Sequence, residues 1–356
     1  MNRYPSRDQI NNWFTTVGTA ALRLLPPEVA HDVGMKILES GLFDSLPAPG
    51  AKLNVSGLKV NIPGLGSLSH PIGLAAGFDK DCRAPAGFAR MGFSFIEIGT
   101  VTPRPQRGNP KPRLFRYPEQ GAIINRMGFN SVGIDVVGER LKRLNWSTDR
   151  IPLGLNAGKN KETPANKAAN DFCQVIEGAR GIVGYYVVNL SSPNTPGLRE
   201  LANPEFIEEL RISLDGDCAK TWVKFDPDLS KKEFQRVVEA TISAGFQGLI
   251  LTNTQRVTSP EAGGRSGHPL AIVSTRSLEW AWQVHQGRFP MIGNGGILSG
   301  SDIFQKIIRG ASAVQIYSAL VYQGPYVVAR MLNELVEELK LKGFSTVQEA
   351  FGTYYT

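Results

Sequence analysis

Apolar positions change their spacing along the chain, and the change separates two regions. Over the first 45 residues they recur at helical intervals. Ile10, Trp13, Phe14, Val17, Ala21, Leu24 and Leu25 fall on one side of a first helix, which Pro26-Pro27 ends. Glu28 opens a second, with Val29, Val33, Ile37 and Leu38 on one side and Gly41 near its end. The stretch Leu46-Pro47-Ala48-Pro49-Gly50 then reads as a linker. From residue 70 onward, short apolar runs alternate with longer helical stretches. The runs Ile72–Ala76, Phe93–Ile98, Ile151–Leu155, Tyr185–Leu190, Trp222–Phe225, Gly248–Leu251, Pro290–Ile292 and Ala313–Ile316 are eight strand candidates. Helical stretches Pro204–Leu214, Lys231–Ala244, Ser274–Gln286 and Asp302–Arg309 lie between several of them. Repeated βα units over roughly 250 residues predict a closed parallel (β/α)8 barrel of the TIM type. A doubly wound open sheet is the alternative, but no GxGxxG follows the first strand. The expected layout is an α/β chain with a two-helix module at 1–45, a linker and barrel-bottom segment at 46–69, the barrel at 70–340 and a C-terminal tail at 341–356.

Composition narrows this only a little. A chain of 356 residues, 42% hydrophobic, can bury a large core. The net charge of +7 permits contact with an anionic membrane or nucleic acid without demanding either. Arg3, Arg7 and Arg23 lie near the first helix and its Trp13-Phe14 pair, which suits a helix lying in a membrane face. On pattern alone, packing against the main domain is the commoner use of such a stripe. No run reaches the ~18 apolar residues of a membrane span. The start, Met1-Asn2-Arg3-Tyr4, carries no cleavable hydrophobic segment. The expectation is a protein kept in the cytoplasm or on a membrane surface. Cys82, Cys173 and Cys218 form neither a disulfide framework nor a metal-ligand spacing, and the four histidines are scattered. No metal site and no catalytic thiol are expected.

In a barrel of this kind, function resides at the C-terminal strand ends. Here those ends carry Ala76-Gly77-Phe78-Asp79-Lys80, Gly99-Thr100, Asn156-Ala157-Gly158-Lys159, Asn189 with Ser191-Ser192-Pro193-Asn194, Lys224, Thr252-Asn253-Thr254, Gly293-Asn294-Gly295-Gly296 and Tyr317-Ser318. Asn, Gly and Ser are ordinary turn residues. Lys80 and Lys224 are not: an ammonium directly after an apolar strand is partly buried and requires an anionic partner. The loops after strands seven and eight are where barrels bind phosphate on bare backbone N–H groups. Gly295-Gly296 and the two lysines together suggest a phosphorylated cofactor across the mouth.

The chain resembles dihydroorotate dehydrogenases of the membrane-associated, quinone-using class. The stretches that carry the resemblance are GLAAGFDKD (73–81), IEIGTVTPRPQRGNPKPRLFR (96–116), INRMGFNS (124–131), NAGKNKETP (156–164), NLSSPNTPGLR (189–199), KFDPDLS (224–230), LTNT (251–254), GGRSGHPL (263–270), GNGGI (293–297) and VQIYSAL (314–320). They cover nearly the whole barrel. LPPEVAHDVGMKIL (25–38) is similar to that class's N-terminal helical module.

The resemblance implies oxidation of dihydroorotate to orotate in pyrimidine biosynthesis, with one FMN per chain. The FMN set is Ala76, Gly77, Phe78, Asp79, Lys80, Thr100, Asn156, Asn189, Lys224, Thr252, Gly267, Gly296, Tyr317 and Ser318. The substrate set is Lys80, Asn125, Arg126, Met127, Gly128, Phe129, Asn189, Asn194, Asn253 and Thr254. An asparagine both donates and accepts, so four of them match the edge of a cyclic urea without adding charge. Lys80 meets the substrate carboxylate. Ser192 takes the place of the proton-abstracting base, a poor base that needs a relay and shielding from water. Thr195 and Phe129 match positions on that proton path. Lys224 stabilises negative charge on reduced flavin. Serine rather than cysteine at 192 also points to the quinone class, with ubiquinone or menaquinone entering between the N-terminal helices. His31, Arg116 and Tyr317 match polar positions at the inner end of that tunnel. The apolar helix stripe then becomes a membrane-facing mouth, and the protein a peripheral monomer on the cytoplasmic face of the inner membrane that binds no nucleic acid.

The match has departures. The segment 255–262 is shorter than the expected lid over the substrate, and Ala157, Phe225-Asp226, Gln255, His268 and Asn294 stand in otherwise typical motifs. Two rivals compete. A flavin barrel acting on uridine in tRNA would carry a basic extension and a reactive cysteine, and neither is apparent. A non-catalytic flavin-binding paralogue would not need Ser192, Lys224 and four asparagines together.

Overall fold

The computed structural model describes residues 18–41, 55, 57–146, 151–195 and 197–356. The expected stripe residues Ile10, Trp13, Phe14 and Val17, the basic Arg3 and Arg7, and the linker 46–50 lie outside these. Eight parallel strands form a closed barrel: β1 Ile72–Leu74, β2 Ile96–Val101, β3 Leu153–Ala157, β4 Tyr185–Asn189, β5 Thr221–Phe225, β6 Gly248–Leu251, β7 Met291–Asn294 and β8 Ala313–Ile316. Pairing of Val314 with Ile72 returns β8 to β1, so the sheet has no free edge. In chain order the helices are α1 Pro27–Glu39, α2 Pro85–Arg90, α3 Ile134–Leu144, α4 Ala168–Glu177, α5 Pro204–Leu214, α6 Lys231–Ser243, α7 Ala271–His285, α8 Gly300–Ile308, α9 Ser318–Gln323, α10 Val327–Leu341 and α11 Val347–Ala350. Helices cover the outside and side chains fill the inside, so the strands are apolar on both faces and read as unbroken runs.

The reasons for these elements are local. Ser230 and Glu233 form a capping box that starts α6. On α4, Phe172, Val175 and Ile176 are buried against the barrel. Within the barrel, Gly73, Gly154 and Gly248 leave room for the rings of Phe95, Tyr185 and Trp222 respectively; a methyl group at each glycine would lie 2.1–2.4 Å from the ring.

Several strand bounds differ from the sequence-based ones, two of them as whole shifts along the chain. The run expected at Phe93–Ile98 is observed at Ile96–Val101, and that at Ile151–Leu155 as Leu153–Ala157. Phe93 and Phe95 are apolar because they pack in the core before the ladder begins. The ladder itself continues through Gly99↔Asn156 and Val101↔Ala157. Thr100 and Asn156 therefore stand on strands, not on the loops after them. Pro27, not Glu28, opens α1, since a proline at the first helical position leaves no needed N–H unsatisfied.

A second sheet was not foreseen. Its four antiparallel strands run in the order Gln255–Val257, Gly263–Gly267, Ala122–Asn125, Leu114–Tyr117. They are short, only partly buried for the most part, and inserted in the loops after β6 and β2, so they carry little periodicity. Residues 18–24 are helical and lead through Pro26 into α1. Glu28 fixes α1 to this region through Arg113 at 3.0 Å and Lys111 at 3.5 Å. At the other end of α1, Glu39 meets Arg83 at 2.6 Å.

Candidate active site

A cavity of about 240 Å³ lies at the C-terminal ends of the barrel strands, with the second sheet along one side. It gathers most of the expected site. Ala76, Gly77, Phe78, Asp79, Lys80, Thr100, Asn189, Lys224, Thr252, Gly267, Gly296, Tyr317 and Ser318 line it, as do Asn125, Met127, Gly128, Phe129, Ser192, Asn194, Asn253 and Thr254. Three expected residues are not on its wall. Asn156 sits one layer beneath, fully buried. Thr195 is buried in the Ser192 loop, and no hydrogen bond joins the two side chains. The Arg126 side chain instead binds Glu261 at 2.6 Å, pinning the tip of the 255–267 hairpin.

The polar wall is built by alternation along the strands, since inward-facing positions near the strand ends reach the cavity. Thr100 donates to Asn156 Oδ1 at 2.5 Å, and Asn189 Nδ2 donates to the same oxygen at 3.1 Å. Asn253 Nδ2 donates to Ser191 Oγ at 2.8 Å. Asn194 Nδ2 donates to the Asn125 carbonyl at 3.2 Å. Of the two adjacent serines, Ser191 is held by Asn189 and Asn253 away from the cavity. Ser192 faces it, and its Oγ accepts only from Asn194 N, at 3.3 Å, among described residues. Opposite, Phe129 adopts φ 50°, a costly conformation for an aromatic residue and typical of functional loops.

The two lysines differ. Lys224 is buried and lies 3.4 Å from Glu97 Oε1, so its ammonium has the anionic partner expected of it. Lys80 has none within ion-pair distance among the described residues; its Nζ donates to Asn130 Oδ1 at 3.0 Å. Burial, and then the charge of Arg113, push the Lys80 ammonium down to about 8. Such a cation is placed to receive an anion from outside the chain. Asp79 plays a structural part: both its oxygens accept backbone N–H groups, from Arg83 at 2.8 Å and Ala84 at 2.9 Å. Burial nonetheless raises its carboxyl to about 6.

The residues present fit a flavin mononucleotide. Gly296 has φ +75°, and a Cβ there would stand 2.1 Å from Ala271 Cα, so only glycine leaves the loop bare for a phosphate. Thr252 Oγ1 and Gln315 Oε1 are buried, belong to residues that line the cavity and have no hydrogen-bond partner among the described residues. Buried polar atoms without partners at a cavity wall are suited to a ligand with its own donors and acceptors.

A second cavity, of about 260 Å³, opens between residues 18–24, α1 and the barrel. It is lined mostly by apolar groups, with Arg23, His31, Arg116 and Tyr317 its main polar side chains. His31, Phe78, Leu114, Ile123 and Tyr317 line both cavities, and the rings of His31, Phe78 and Tyr317 pack together in the partition between them. His31 Nε2 lies 2.7 Å from the Phe78 carbonyl, so that nitrogen is the donor. Burial, then nearby Lys80, hold the imidazole below its ordinary range. Arg116 donates to the Leu25 carbonyl, and burial lowers its guanidinium. None of the three cysteines lines either cavity, and burial pushes Cys173 and Cys218 up to about 11.

The family model for dihydroorotate dehydrogenase matches residues 57–339, most of the chain. The chain belongs to the dihydroorotate dehydrogenase family. Its relatives include the mitochondrial dihydroorotate dehydrogenase (quinone) of Mus musculus, 41% identical over 354 residues, covering 94% of this chain and 88% of that protein. The dihydroorotate dehydrogenase (quinone) of Myxococcus xanthus is 39% identical over 345 residues, covering 92% and 94%. Among solved structures, that of the Eimeria tenella enzyme in complex with ferulenol superposes with a TM-score of 0.86 at 37% identity, over 92% of this chain and 96% of that one. The chain is thus an oxidoreductase of this family, and the closed barrel with N-terminal helices is the architecture its relatives share.

Two site residues escaped the sequence reading. Glu97 and Gln315 lie inside apolar strand runs, IEI and VQI. A charged or amide side chain in a strand buried on both faces is itself a signal, since it requires a partner in the barrel interior.

Proposed function

We propose that this protein oxidises dihydroorotate to orotate with bound FMN and passes the electrons to a membrane quinone. The observation that carries this is the shared partition. A polar cavity holding Ser192, Lys80, Asn125, Asn189, Asn194 and Asn253 meets an apolar cavity across His31, Phe78 and Tyr317. Lys80, Thr100, Asn189, Lys224, Thr252 and Gly296 would hold FMN, which would supply a two-electron hydride acceptor for carbon 6 of the substrate.

The protein's own part is to bind, orient and move a proton. Lys80 pairs with the substrate carboxylate, while Asn125, Asn189, Asn194 and Asn253 match the ring edge. Ser192 Oγ takes the proton from carbon 5 as it passes its own hydroxyl proton on to the relay, in a loop buried enough to exclude bulk water. Thr195 and Phe129 serve the path by which that proton leaves. Lys224 supplies a fixed positive charge where negative charge develops. Arg116 and His31 orient the quinone head group in the apolar cavity. The exposed Leu24, Val29 and Ile37 near its mouth fit a helix surface resting in the membrane interface, on the cytoplasmic face. No helix among the described residues is long and apolar enough to cross a membrane. We take the protein to act as a monomer.

The test begins with the purified protein's absorbance spectrum and anaerobic addition of dihydroorotate. Bleaching of a bound flavin is expected; a flavin that stays oxidised overturns the activity. Reoxidation is then compared with ubiquinone, fumarate and NAD, and preference for either soluble oxidant overturns the quinone assignment.

A further inference from the structure

Glu97 stands in the middle of β2 with no solvent exposure. Its carboxylate receives three side chains from three other strands. Asn156 Nδ2 of β3 donates to Oε1 at 2.6 Å, and Gln315 Nε2 of β8 donates to Oε2 at 2.5 Å. Lys224 Nζ of β5 lies 3.4 Å from Oε1. A carboxylate so deep persists only because it is paired and hydrogen-bonded. Among the described residues it is the sole carboxylate within ion-pair distance of Lys224.

An ionised carboxylate only accepts, so it dictates the direction of every hydrogen bond that leads to it. Asn156 spends its Nδ2 on Glu97 and must offer Oδ1 outward, to Thr100 and Asn189. Asn189 in turn offers Oδ1 to Ser191, whose Oγ accepts from Asn253. All donors along this chain point toward Glu97. Gln315 is fixed in the same way: its nitrogen is committed, which leaves Oε1 as an acceptor with no partner among the described residues. Glu97 does not touch the cavity itself, but Lys224 and Gln315 do.

We propose that Glu97 is a positioning residue that sets the electrostatic potential at the cofactor, by anchoring Lys224, offsetting its charge from below and orienting the amide wall. The proposal rests on the reading that this cavity holds FMN. Reducing a flavin with two electrons and one proton adds one negative charge. With the pair intact, Lys224 and Glu97 sum to zero beneath that charge. Removing the carboxylate charge leaves the local sum positive, so the reduced flavin gains relative to the oxidised one.

The test is the midpoint potential of the bound flavin, by spectroelectrochemistry, in the parent protein, Glu97→Gln and Lys224→Met. Glu97→Gln keeps the volume and removes the charge. It is expected to favour reduced over oxidised flavin about tenfold, which is about 30 mV upward for a two-electron couple. Lys224→Met is expected to shift the potential downward. A Glu97→Gln potential equal to the parent's, or lower, overturns the proposal. Should that variant fail to fold, Glu97→Asp keeps the charge but withdraws it from Lys224; a smaller upward shift is expected, and none overturns the proposal. Failure of the underlying reading is distinguishable, because the parent protein itself would then hold no flavin or would not be bleached by dihydroorotate.

Discussion

Replacing Lys80 by methionine separates ligand binding from stability. The ammonium is bonded to one neutral amide, Asn130, and burial with the Arg113 charge lowers it to about 8 from an ordinary 10.5. At pH 7 about nine-tenths of free protein then carries the charge; at pH 9.5 only about one-thirtieth does. Affinity for orotate should therefore fall about thirtyfold between those values, since a neutral amine cannot balance the ligand carboxylate. At pH 7 the methionine variant loses a charge-assisted hydrogen bond of about 1.5–3 kcal/mol, or about 10- to 150-fold in Kd. Its affinity should also become independent of pH through this range. The stability sign is opposite. A lysine whose folded pKa lies below its unfolded value penalises the fold while charged, fully below about pH 8, and that penalty fades as pH rises toward 10.5. Methionine removes the penalty, so Tm at pH 7 should not fall. Calorimetric titration with orotate across this pH range, and thermal melts at pH 7, read both. An orotate Kd flat to pH 9.5 in the parent protein, or a variant that binds normally, would refute the assignment of Lys80 to the carboxylate.

Three further outcomes are expected. Ser192→Ala should slow anaerobic flavin reduction by about two to four orders of magnitude with flavin still bound, as measured by stopped flow; near-parental speed would place the base elsewhere. Gly296→Ala puts a methyl group 2.1 Å from Ala271 Cα in a left-handed conformation, so the protein should purify folded but depleted of flavin, by absorbance ratio and circular dichroism. His31→Phe removes the donor that faces the Phe78 carbonyl and alters the partition. Reoxidation by ubiquinone should slow at least tenfold while reduction by dihydroorotate holds, and an equal loss in both half-reactions would contradict the two-cavity division.

The barrel was legible because strands covered on both faces by protein must be apolar throughout, and eight such runs recur. The site was legible for the complementary reason: Lys80, Lys224, Asn189 and Ser192 interrupt or end those runs with groups that water would otherwise hold. The bounds of β2 were not, because Phe93 and Phe95 continue the apolar run by packing where no ladder exists. Glu97 is one residue in a long motif, and only the closed barrel reveals its depth and its three partners. The antiparallel strands gave no signal because runs of three to five residues, most of them partly buried, are too short to show a period. Nor does sequence spacing reveal that Thr195 is off the cavity wall while Arg126 turns to Glu261.

The small sheet beside the mouth also limits how this protein can vary. Leu114 pairs with Asn125 and Arg116 with Ile123, so these four share one face. That face runs from the polar cavity, at Asn125, to the apolar one, at Arg116, with Leu114 and Ile123 lining both. Single substitutions there alter one contact at a time. A one-residue insertion or deletion within 114–117 or 122–125 would turn the following contacts to the opposite face together. Natural length changes should therefore collect at 118–121 or at the hairpin tip 258–262, where the ladder does not count residues.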